Sequence, residues 1–141
     1  RVHATGIKLE SKLGEFVRDG SFTLQSEEEI VIEQKLFLQQ LHEMDSYYVN
    51  EHIVNLLLEV RGNLRTEKQE MLSTIDRFLT LPPDERLLFT VGRRLNIFFR
   101  LDDLKKPKLH QKAGESLQQI LSKNPHVDFA ALCNYVRQSQ I

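Results

Sequence analysis

The stretch Leu87–Lys108, LLFTVGRRLNIFFRLDDLKKPK, decides how this chain is read. Plotted at 100° per residue, Leu87, Leu88, Val91, Leu95, Phe98 and Phe99 gather on one broad face, while Arg86, Arg93, Arg94 and Arg100 take up the rest. That pattern predicts a core helix carrying a basic face. Gly92 inside it costs about 1 kcal/mol against alanine, so its presence predicts a close approach by a neighbouring helix. Arg93 and Arg94 also cut the most apolar segment in two. No run approaches the roughly 18 apolar residues of a membrane-spanning helix.

Working outward, helical spacing recurs nearly everywhere. Upstream, TLPPDE is the sharpest break: Pro82 resists following a helical residue, and Pro83, Asp84 and Glu85 suit a first helical turn. Before it, Thr66 and Gln69 have capping-box spacing ahead of Met71, Leu72, Ile75, Phe78 and Leu79. SYYVNEHIVNLLLEV sets Val49, Ile53, Leu56, Leu57 and Val60 on one stripe and predicts a helix closed by Gly62. Ser26 and Glu29 make the clearest capping box, opening a helix lined by Ile30, Phe37, Leu41 and Met44. Leu9, Leu13, Phe16 and Val17 fit a short first helix with Gly20 at its left-handed end. Downstream, DDLKKPK is a connector, Leu109–Leu121 a helix, NP a break, and Phe129, Leu132, Cys133 and Val136 the apolar face of a last helix. Sustained strand alternation is absent. The expected fold is all-α, with about seven helices in a compact bundle or a short right-handed stack.

The 141 residues suit one domain, with 40% apolar and 28% charged content typical of a globular chain. Residues 1–141 are therefore read as a single interaction domain, and the start on Arg1 suggests one excised from a longer protein. One cysteine excludes an intramolecular disulfide and favours a reducing intracellular setting. The net charge of −1 hides an asymmetry: residues 1–70 hold 8 basic and 13 acidic groups, residues 71–141 hold 11 and 7. Such polarity marks an interaction surface or two halves that attract each other.

Catalytic patterns are missing. The five histidines fall on different elements without HxxxH spacing, and Glu51 beside His52 would point about 100° away on a helix. Cys133 reads as a small core residue rather than a nucleophile. No P-loop, GxGxxG or GxSxG occurs, and neither a metal site nor a cofactor is expected. One of Tyr47 and Tyr48 must lean away from the core, and Tyr48 is taken as a candidate partner contact. The main candidate surface is basic: from Arg93 to Lys112 the balance is +5. Arg94, Arg100, Lys105, Lys106 and Lys108, with Arg93 beside them, are expected to edge a groove for an acidic linear motif with one or two apolar anchors.

The order HIVNLLLEVRGNL, EKQEMLSTIDRFLTL, TVGRRLNIFFR, HQKAGESLQQIL resembles the N-terminal domain of transcription elongation factor S-II and its relatives, including integrase-binding-domain helical bundles. Val91, Gly92, Leu95, Asn96 and Arg100 match one family element, and Ala113 and Leu117 another; the likeness covers residues 36–122. The chain departs from the family in lacking tryptophan and in adding helices at both ends. The resemblance implies a non-enzymatic nuclear module that grips short linear motifs in transcription.

The favoured expectation is thus a protein–protein interaction module, nuclear or cytoplasmic, acting in transcription or RNA regulation. A homodimerisation or assembly domain of a larger scaffold is the alternative, favoured if Leu58 and Tyr48 are exposed together. Weak nucleic-acid binding through residues 93–112 is the third reading.

Overall fold

The computed structural model describes residues 4–42 and 44–139. Among the described residues six α-helices and one short 3₁₀ helix make up most of the fold, so the chain is all-α in class. In order these are α1 (Lys12–Arg18), α2 (Glu27–Gln40), α3 (Lys68–Leu79), α4 (Pro83–Arg94), the 3₁₀ helix Leu101–Lys105, α5 (Pro107–Lys123) and α6 (Phe129–Ser139). A two-residue antiparallel pair, β1 (Tyr47–Tyr48) with β2 (Gly62–Asn63), ties off the segment between α2 and α3. Among the described residues no helix is long and apolar enough to cross a membrane.

Helix starts follow local chemistry. Ser26 accepts the Glu29 N–H, and Glu29 returns the bond to the Ser26 N–H, so α2 begins on the expected reciprocal box. Pro83 opens α4 and Pro107 opens α5 at the position that needs no N–H. Asp128 caps α6 by accepting the N–H groups of Ala130 and Ala131. Thr66 and Gln69 do not form their box. Asn63 instead accepts the Arg65 and Thr66 N–H groups, and α3 begins at Lys68.

Two departures from the expected fold matter more. Residues 49–60 are not a helix. Asn50 donates to the Leu57 carbonyl at 2.7 Å, and Asn55 donates to Asn50 Oδ1 at 2.6 Å. These short amide side chains give the backbone an alternative to helical bonds. The β-branched residues 49, 53, 54 and 60 add little helical preference against it. The apolar side chains Val54, Leu56, Leu57 and Val60 reach the core all the same, from an irregular loop.

The second departure is that α4 ends at Arg94, several residues early. Asn96 lies in the left-handed region at φ 57°, the Asn96 N–H bonds the Arg93 carbonyl at 3.2 Å, and the Ile97 N–H bonds the Gly92 carbonyl at 2.8 Å. This is the Schellman closure of a helix, with asparagine where glycine is commoner. The chain then doubles back, leaving Leu95 and Phe99 exposed while Phe98 tucks under Gly92. Gly92 does mark a close approach. A Cβ there would clash with the edge of the Phe98 ring and lie 3.2 Å from Ala113 on α5.

The core is continuous. The rings of Phe78, Phe89 and Phe98 stand in a row, 5.8 and 5.9 Å apart, at the junction of α3, α4 and the reversed segment. Helix α4 packs on α5 and α6, and α2 packs on α3. An N-terminal arm, residues 4–25 including α1, lies over this body. Asn134 accepts the Ile7 N–H at 2.8 Å and donates to the Ile7 carbonyl at 3.0 Å. Asn55 accepts the Ala4 N–H at 2.6 Å.

Two helical glycines should respond oppositely to the same change. Gly92→Ala overpacks the Phe98 junction and is expected to destabilise by about 1–3 kcal/mol. Gly114→Ala, with nothing within 4 Å of its added methyl group, is expected to stabilise by about 0.5–1 kcal/mol. Urea denaturation of the two variants checks the sign of each.

Candidate functional site

The expected basic edge divides in two. Arg93 and Arg94 lie inside the protein, whereas Arg100, Lys105, Lys106 and Lys108 lie on its surface. The cause is long-range: the loop at residues 53–55 and helix α6 cover the face of α4 that the helical wheel had left to solvent. Arg93 donates to the Ile53 carbonyl at 2.9 Å and the Asn55 carbonyl at 3.3 Å. Its guanidinium stands 5.7 Å from the centre of the Phe99 ring.

Arg94 belongs to an ion cluster linking three helices. Its Nε and one terminal nitrogen donate to the two carboxylate oxygens of Glu27 at 3.1 and 2.5 Å. Arg137 on α6 donates to the same carboxylate. Glu27, Arg94 and Arg137 are only 2–4% exposed. Such burial is tolerated because charge-assisted, near-bidentate bonds replace the lost hydration. Burial, and then the neighbouring Arg94, bring Arg93 down to about 10, which leaves it protonated at neutral pH. Cys133, on the buried face of α6, has its thiol pushed up to about 12 by burial and then by Glu27. A thiol held that far from ionisation is a poor nucleophile.

Two of the outer cations, Lys105 and Lys106, are answered by the chain itself. Lys105 and Arg77 share Asp102, each at 2.7 Å, and Lys106 pairs with Asp103 at 2.7 Å. Asp103 also accepts the N–H groups of Phe99 and Arg100, fixing the start of the 3₁₀ helix. A depression of about 510 Å³ near His110 lies over Leu81, Leu101 and Leu104 with Lys105 on its rim, but Arg100, Lys106 and Lys108 do not line it. Arg94 has no part in it. His110 and Glu85, 3.1 Å apart, occupy the same rim. With Arg93 and Arg94 turned inward, the local positive excess behind a nucleic-acid reading shrinks to the paired lysines, Lys108, Lys112 and Arg100.

Tyr48 is also corrected. The strand pair alternates its faces, so Tyr47 points outward and Tyr48 inward, where its hydroxyl accepts from Gln34 at 3.1 Å. Tyr48 therefore forms no outer patch with the half-buried Leu58.

A different concavity is better built. A cleft of about 440 Å³ lies between the N-terminal arm and α2, floored by Tyr48, Leu56 and Arg137. Ile7, Leu13, Phe22 and Leu24 form the arm's wall, and Ile30, Val31, Gln34 and Phe37 the α2 wall. Leu13, Phe22 and Phe37 are still partly open to solvent. The sequence held one usable signal for the floor: Arg137 stands four residues after Cys133, on the apolar face of α6, where a solvated arginine does not belong. Among the described residues no group of His, Cys, Asp and Glu is arranged to hold a metal ion.

Removing the shared carboxylate is expected to be far costlier than altering the outer cations. Glu27→Gln leaves two buried guanidiniums without their anion and should destabilise by roughly 3–5 kcal/mol. Lys105→Glu with Lys106→Glu should shift the urea midpoint only slightly, as exposed substitutions do. Cys133 should react with a thiol reagent at pH 8 only at the rate of unfolding, so addition of urea should accelerate labelling steeply.

Comparison with protein-family models, with curated proteins and with solved structures finds no match to this chain.

Proposed function

We propose that this chain is a non-enzymatic protein-interaction module that docks a short linear motif of a partner in the cleft under the N-terminal arm. The observation that carries the reading is the cleft itself. Its 440 Å³ suits one or two apolar side chains. Half-exposed Leu13, Phe22 and Phe37 are the kind of surface a partner's anchors bury. The resemblance to the S-II N-terminal domain supports the same class of function and, with it, a setting in transcription. The motif is assigned to this cleft rather than to the basic edge, because Arg93 and Arg94 are buried and Lys105 and Lys106 are already paired with Asp102 and Asp103.

A second reading, self-assembly, rests on α2. Ile32 and Leu36, one turn apart, are 41% and 55% exposed on the same outer face. A second copy covering that face would make the chain an assembly module. Sedimentation equilibrium showing a dimer at low micromolar concentration that Leu36→Glu abolishes would favour it.

The docking reading is tested by selecting 12-residue peptides from a display library against the folded chain. Selected sequences are expected to share a pair of apolar residues. Phe37→Ser should weaken them at least tenfold in titration calorimetry, whereas Lys105→Glu with Lys106→Glu should not. The opposite pattern would move the motif to the basic edge, and failure to enrich any peptide would sink the reading.

A further inference from the structure

Three arginines, Arg93, Arg94 and Arg137, are buried around one fully buried carboxylate, Glu27. Half-buried Glu59 lies within electrostatic reach of Arg93, so even counting it the cations remain in excess. Buried guanidiniums with an incomplete anion set are costly and need an explanation in the structure. All three are visibly under-bonded: Arg93 Nε and one Arg93 terminal nitrogen, one Arg94 terminal nitrogen, and Arg137 Nε have no hydrogen-bond acceptor. Of these residues, Arg137 lines the cleft. An apolar cleft with a buried, under-bonded cation on its floor is complementary to an apolar group that carries a negative charge.

We infer that the cleft recognises a carboxylate borne on an apolar residue, and that the docked motif is a peptide whose C-terminal apolar residue enters with its α-carboxylate toward Arg137. This deepens the docking reading above and rests on it. A planar guanidinium suits a carboxylate because its N–H groups form a fork that matches two oxygens. The polar lining of the cleft bears on where a carboxylate can sit. Glu33, on the α2 wall, is exposed and repels a carboxylate near it, whereas Asn50, Asn55 and Arg137 also line the cleft and carry no negative charge. Glu27 does not saturate Arg137, because it is shared with Arg94.

The full chain, uniformly labelled with ¹⁵N, is titrated with four probes while backbone and arginine Nε–H resonances are followed. The probes are acetyl-Gly-Ala-Ala-Leu with a free carboxylate, the same peptide as its C-terminal amide, octanoate, and octanamide. The expected result is that the peptide acid binds at least tenfold more tightly than its amide, moves the Arg137 Nε–H signal, and outcompetes octanoate. Arg137→Gln should erase the acid–amide difference. Should that variant fail to fold, the acid–amide comparison on the unaltered chain stands by itself, and Arg137→Lys tests the fork geometry. Equal binding of peptide acid and amide overturns the carboxylate inference and leaves peptide docking intact. Binding of octanoate but not octanamide, with neither peptide binding, keeps a carboxylate site and overturns its peptide occupant. Absence of binding by both acids overturns the inference.

Discussion

The carboxylate of Glu27 is the point on which the rest of this structure depends. It stands at the first turn of α2, faces Arg94 at the last turn of α4 and Arg137 near the end of α6, and so joins segments 67 and 110 residues apart. Hydrophobic contact is tolerant of small slips, but a shared carboxylate between two guanidiniums is not, because each hydrogen bond weakens steeply with angle. The cluster therefore fixes how the three helices are rotated as much as how closely they approach. By setting α6, it also sets where Asn134 holds the N-terminal arm. The cleft lies between that arm and α2, so the geometry of the candidate site is inherited from one buried ionic contact.

What could be read from the sequence was local. The Ser26–Glu29 box, the Pro82–Pro83 break and the left-handed Gly20 are each decided within a few residues, and the structure has them where expected. The segment 49–60 misled because its apolar spacing is helical while its conformation is set by Asn50 and Asn55 side chains bonding their own loop. Leu87–Phe99 misled for a related reason. Asn96 was the stop signal, and once α4 ends there the positions of Phe99 and Arg100 no longer follow the wheel.

The candidate site was least legible. Seven basic residues close in sequence suggested one surface, yet burial depends on what covers a side chain, and the cover over Arg93 and Arg94 comes from residues 27, 53–55 and 137. The cleft draws on residues from 4 to 137, a span over which no local pattern carries information. One clue was available in kind: arginine on an otherwise apolar helical face, at Arg137, signals an internal anion.

The hold on Ile7 has a mechanical side. Asn134 and Gln138 grip its peptide group across a separation of 127 to 131 residues, through side-chain amides alone and with no strand beside it to share the load. Tension applied to the two ends of the chain would reach these few bonds before it reached the aromatic row in the core. Parting them would free the arm and lay the cleft open along one side. The arm is thus a tether held at a few points, and the cleft lies beneath it.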